Sequence, residues 1–218
     1  MSRNAWMALA AVALLVVFPP TRGVLARAAQ AAGRAVANAR AAEARDRVVA
    51  SYARKYGIEH DMADAIERAA RAEGVRTDWA FRLVRVESEF NPRAISPVGA
   101  IGLTQLMLPT ARELQPGVTR EALYDRDTNL RLGFRYFRSL LRYYEGDVET
   151  ALHAYNRGIG TVARIHARGG DPANGYARKV LGDRGASPVG PVPPDTAAAT
   201  PTIPRVDELA PVRMPAGM

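Results

Sequence analysis

The sequence predicts a mainly α fold, on three observations. Apolar residues recur at helical spacing between Val49 and Leu181. Glycine and Asn-Pro stop signals punctuate that pattern. No segment sustains the apolar–polar alternation of a strand.

The chain opens with Arg3 and then an unbroken apolar run over residues 5–18, stopped by Pro19-Pro20. That length suits the apolar centre of an export signal and falls short of the about 20 residues a membrane span needs. Val24-Leu25-Ala26 offers a cleavage site. Residues 1–26 are therefore expected to be a signal peptide or membrane anchor, with residues 5–18 as any tether, and the protein to be exported. Residues 27–48 are rich in Ala and Arg, favour helix, and present a mostly alanine side that packs weakly, so a helical spacer is expected.

Residues 49–184 carry the globular pattern. An amphipathic helix is expected over residues 61–73, closed by Gly74. Thr77 reads as an N-cap, with Asp78 in the first turn of a helix running to about Phe90. Asn91-Pro92 should end it, because the residue before proline disfavours the α region. A Ser/Pro/Gly loop follows over residues 96–102, then a helix over 103–113. Residues 128–144 form a long amphipathic pattern with Leu132, Tyr136, Leu140 and Tyr143 on one stripe. Residues 148–156 read as a helix stopped at Gly158, and residues 176–181 as a short last helix. From residue 185 to 218 the chain is rich in Pro, Ala, Thr and Gly and is expected to be a disordered tail.

Composition narrows the function classes. Thirty Lys+Arg against 22 Asp+Glu give a net charge of +8, and only Lys55 and Lys179 are lysines. Such a chain suits a polyanionic partner. Aromatics are 7% and do not interleave with a basic run, which argues against nucleic acid. The sequence has no cysteine, which removes disulfides, thiolate metal sites and thiol nucleophiles. His60, His153 and His166 lack any ligand spacing, so no metal is expected.

One carboxylate stands out. Glu87 follows Ala80, Leu83 and Val84 by seven, four and three residues, so helical spacing puts it on their apolar face. Glu89 follows Arg85 by four and belongs to the charged face, where an exposed ion-pair role explains it. A carboxyl facing a core has a raised pKa and can serve as a general acid. Equally, it could be a partly buried glutamate tied to an arginine or a backbone N–H. The residues alone leave both readings open.

The stretch ESEFNPRAISPVGAIGLTQLMLPTA, residues 87–111, resembles the signature of the soluble lytic transglycosylase family, whose domain is lysozyme-like of the goose type. Three further blocks follow in the family's order. Asn129, Gly133 and Tyr136 match an Asn-x-x-x-Gly-x-x-Tyr helix. Residues 154–160, AYNRGIG, match Ala-Tyr-Asn-x-Gly-x-Gly. Residues 176–181 match a closing Tyr-x-x-Lys-Val-Leu. Two departures occur: Thr104 stands where the family usually has Met, and the proline of the Met-Pro turn is displaced by one, to Pro109.

The resemblance implies a fold, a reaction and a site. The fold would be a goose-type lysozyme-like α domain. Glu87 would be the catalytic acid/base, with Ser96 bonding near its carboxylate and Tyr155 in contact with it. Gln105, Met107, Tyr155 and Asn156 would line the sugar cleft, and Thr104 would alter its contacts. Gly99 and Gly102 would supply positive φ and close backbone approach. The substrate would be peptidoglycan glycan strands, without a cofactor, in the periplasm or cell envelope. Envelope or secretion machinery would be a further partner. Hydrolases of glycosides usually use two carboxylates. No second acid stands out in the matched blocks; Asp125 and Asp127 flank the second block, where helix capping is the simpler role. One acid suits non-hydrolytic cleavage to a 1,6-anhydro end. A hydrolytic muramidase on the same fold, or a non-catalytic glycan-binding envelope protein, are the competing readings.

Overall fold

A computed structural model of the chain describes residues 22–182. The expected leader up to residue 21 and the expected tail from residue 185 lie outside the described residues. Among the described residues the fold is mainly α, with isolated β-bridges and no named strand. The chain divides into a unit ending at Val48 and a unit starting at Val49. Helix α1, Arg22–Tyr56, runs across that division. In the first unit its side chains are almost all exposed, as expected of an alanine-rich surface with little apolar area to bury. None of the described helices is long and apolar enough to cross a membrane.

In the second unit the end of α1 is followed by α2 (His60–Ala72), α3 (Thr77–Ser88), α4 (Leu108–Leu114), a 3₁₀ turn (Glu121–Tyr124), α5 (Arg126–Tyr143), α6 (Val148–Arg157), α7 (Ile159–Ala167) and α8 (Tyr176–Leu181). The main core is built from the apolar faces of α2, α3, α5 and α6, with Ile66, Phe81, Leu83, Phe134, Phe137 and Leu152 fully buried. Tyr52 of α1 stacks on Phe81 with ring centroids 4.2 Å apart. A smaller cluster joins Ile101 and Leu106 of the loop between α3 and α4 to Ala111, Leu123 and Leu132.

Several element boundaries differ from expectation, each for a local reason. The N-cap of α3 is Arg76, not Thr77. Arg76 has the extended backbone of a cap position while Thr77 is already helical; no side chain caps this end, and the Arg76 guanidinium instead pairs with both carboxylate oxygens of Asp78 at 3.2 Å. Helix α3 ends at Ser88, ahead of Asn91-Pro92. Glu89 and Phe90 both adopt left-handed backbone, φ 50 and 64, and reverse the chain before the proline acts. The Phe90 ring then packs on Tyr56, centroids 5.3 Å apart. The helix expected over 103–113 is shortened to Leu108–Leu114. Its first half is instead a tight turn in which Ile101 and Leu106 exchange backbone hydrogen bonds.

Asp125 caps α5 by accepting from Thr128 N at 2.8 Å, the capping role read from the sequence. Tyr143, expected on the apolar stripe of α5, is exposed. Helix α7 was not anticipated. Gly158, read only as a stop, also starts it, accepting from Thr161 N and Val162 N while its own N–H closes α6 on Ala154 O.

Candidate active site

Glu87 sits in the last turn of α3. Ala80, Leu83 and Val84 on the same face are fully buried in the core, so the helix is anchored where its period requires. One turn later the core opens into a cleft, and Glu87 lines it, partly buried, while Glu89 is exposed. The neighbouring Ser88 is turned inward. Its hydroxyl hydrogen-bonds Val84 O at 3.1 Å and Leu103 O at 2.8 Å, tying the end of α3 to the loop that forms the rest of the site.

That loop is shaped by backbone pairing. Gly102 N donates to Ala94 O at 2.8 Å, and Gln105, left-handed at φ 46, donates to Gly102 O. Gly102 has φ 75, and a Cβ there would lie 2.4 Å from Asn129 Nδ2. The close approach it permits is to the protein's own Asn129 and Leu123 O. Asn129 is buried and fully engaged. Its amide donates to Ile101 O and Leu123 O, and its Oδ1 accepts from Thr104 N and Thr104 Oγ1, all within 2.9 Å.

The cleft gathers every predicted site residue. Ser96, Gln105 and Met107 come from the loop, Tyr155 and Asn156 from the end of α6, and Glu87 from α3. Tyr136 of α5 and Arg157 also line it and were not assigned a cleft role from the sequence. Glu87 is the one carboxylate among the described lining residues.

The structure alters or sharpens three expected details. Ser96, expected to bond near the carboxylate, lines the cleft with it, and the bond its Oγ makes is to the loop's own backbone, accepting from Ala100 N at 3.0 Å. The Tyr155 hydroxyl donates to Thr104 O at 2.8 Å. Its link to Glu87 is electrostatic, the carboxylate adding to burial in raising the phenol's pKa. The direct hydrogen bond to Glu87 Oε1 comes from the hydroxyl of Tyr176, the first residue of α8. Thr104, thirdly, does not reach the cleft. Its side chain is fully buried, bonded to Asn129 and packed against Gly133, where a Cβ would lie 2.2 Å from Thr104 Oγ1.

The electrostatics single out Glu87. Burial pushes its carboxyl from 4.5 up to about 7, although the hydrogen bond from Tyr176 pulls the other way. Burial and the nearby Glu87 charge push Tyr176 well above the ordinary phenol range, so it stays a donor. A carboxyl titrating near neutrality can give up and recover a proton, and a fixed phenol donor can steady its ionised form.

A family model described as "Transglycosylase SLT domain" matches residues 64–175, just over half of the chain. The membrane-bound lytic murein transglycosylase C of Edwardsiella ictaluri (strain 93-146) is 32% identical over 120 residues, covering 49% of this chain and 33% of that protein. The transglycosylase of Enterobacteria phage PRD1 is 42% identical over 99 residues, covering 45% and 34%. The chain thus spans about a third of the length of the curated relatives it matches. The 70 kDa soluble lytic transglycosylase of Escherichia coli aligns in structure with TM-score 0.48 and 27% identity, over 54% of this chain and 22% of that one.

Proposed function

This chain belongs to the transglycosylase SLT domain family, and from that premise we propose that it is a peptidoglycan lytic transglycosylase, with Glu87 as its single acid/base. The observation that carries the reading is Glu87 itself. It is the one carboxylate among the described cleft residues, its pKa is raised to about 7 by burial, and its Oε1 accepts a hydrogen bond from Tyr176.

The steps follow from that arrangement. The protonated Glu87 gives its hydrogen to the glycosidic oxygen between N-acetylmuramic acid and N-acetylglucosamine. The bond from that oxygen to C1 of the muramic residue breaks, and positive charge develops at C1. The substrate's own acetamido group shields that charge. Glu87, now a carboxylate steadied by Tyr176, takes the proton from the C6 hydroxyl of the same sugar. The C6 oxygen closes onto C1 and leaves a 1,6-anhydro end. No water enters, so no second carboxylate is needed to activate one, in contrast to hydrolysis. Gln105, Met107 and Asn156 line the cleft where sugar rings would lie, and Ser96 holds the loop that presents Gln105 and Met107.

The same reading places the catalytic domain at residues 49–184 and the enzyme in the cell envelope, exported by residues 1–26 and spaced from any anchor by residues 27–48. Digestion of purified peptidoglycan by the full chain, with product ends read by mass spectrometry, tests it. Anhydro-muramyl ends support transglycosylation. Reducing ends would make the enzyme a muramidase, and intact strands would make it a glycan-binding protein.

A further inference from the structure

Arg157 is a cation in the cleft that the described protein residues do not neutralise. It follows Asn156 at the last position of α6 and lines the cleft beside it, half-buried. Nη1 donates to Pro172 O at 2.9 Å, which fixes the guanidinium against the segment before α8. Among the described residues Arg157 forms no ion pair, whereas Arg68, Arg76, Arg126 and Arg135 each meet a carboxylate.

A guanidinium is a planar fork of five donors. A carbonyl that takes one of them leaves the others free to receive a carboxylate through two parallel hydrogen bonds. On the substrate of the proposed reaction the sugar rings themselves are neutral. The negative charges belong to the peptide carried on the lactyl group of N-acetylmuramic acid. Resting on that reading, we propose that Arg157 binds a carboxylate of the stem peptide and makes the enzyme select peptide-bearing strands whose carboxylates are free. The sequence supports this as a property of the chain itself, since Arg157 occupies the unspecified position of the Ala-Tyr-Asn-x-Gly-x-Gly block.

The test uses the full chain and three substrates. The first is uncrosslinked peptidoglycan strands, the second is the same strands with their peptide carboxylates converted to methylamides, and the third is strands stripped of peptide, which expose the lactyl carboxylate. Release of anhydro ends gives kcat/KM on each. The wild type should favour free carboxylates over methylamides by about tenfold, the scale of one charge-assisted hydrogen-bonded contact, with the difference in KM. That ratio should fall toward one in both Arg157→Ala and Arg157→Gln. The glutamine keeps a donor for Pro172 O, and a ratio cancels any general loss of folded enzyme. An unchanged ratio in the two variants overturns the assignment. So does dependence on Arg157 that appears on stripped strands instead, which would assign the lactyl carboxylate. If the wild type releases no anhydro ends from any of the three, the proposed reaction itself fails and this inference with it. Cleavage of all three at equal efficiency would remove Arg157's role alone.

Discussion

The Tyr176 hydroxyl donates to Oε1 of Glu87 across 89 residues of sequence. A donor to a carboxylate favours its ionised form, which opposes the effect of burial. Removing the hydroxyl in Tyr176→Phe should therefore raise the pKa of Glu87 and move the alkaline limb of the pH–kcat/KM profile upward. Turnover should drop roughly tenfold, because the carboxylate formed midway through the reaction loses its partner. A downward move of the limb would show that the bond does not act on Glu87 as the geometry implies.

Two carboxylates two residues apart should behave oppositely. Glu87→Gln keeps the shape but cannot transfer the proton, and should lower anhydro-product formation by roughly 10²-fold or more. Glu89 is exposed beyond the helix end, so Glu89→Gln should leave rate and melting temperature nearly unchanged. Assay of both variants on peptidoglycan beside their melting curves decides it. An inactive Glu89→Gln would contradict the facial argument.

Stability should depend on pH through Glu87. Its folded pKa, about 7, lies above its ordinary 4.5, so the folded state holds the proton more tightly. That contribution is fully present below 4.5 and is lost as pH rises through about 7. Relative to Glu87→Gln, the wild type should match the variant near the acid end and fall behind it by up to about 3 kcal/mol above neutrality. Urea unfolding of both proteins at about pH 5 and about pH 8 measures the gap. A gap of the opposite sign would mean that the carboxylate is stabilised in the fold.

Thr104 should affect stability more than sugar contacts. Thr104→Val removes the hydroxyl that donates to Asn129 and leaves a buried acceptor short of a partner, costing about 1–3 kcal/mol. Gln105→Ala, one residue on, should instead lower turnover, because Gln105 lines the cleft. Thermal melts and product release by the two variants separate the roles. Loss of turnover without loss of stability in Thr104→Val would return Thr104 to the cleft.

Helical period is a local property, and what depends on it was legible. Glu87 could be placed on the face of Ala80, Leu83 and Val84 because three- and four-residue spacing decides which side chains share a side. The cap of α5 at Asp125 was legible because a cap, too, is a local bond, from a carboxylate to a backbone N–H three residues on. Helix α7 was missed, although Ile159 and Val162 are spaced for one buried face, because Gly158 read as a stop. The four motif blocks brought Ser96, Gln105, Met107, Tyr155 and Asn156 to the same cleft as Glu87, but no spacing in the chain says which hydroxyl meets which oxygen. Tyr176, not Tyr155, bonds Glu87 because α8 docks its first residue against the end of α3. Thr104 points inward because Gly133 on α5 has no side chain to fill the space and Asn129 offers the polar partner. Those outcomes depend on close packing between segments far apart in sequence, where one missing Cβ or one left-handed residue such as Gln105 redirects a side chain.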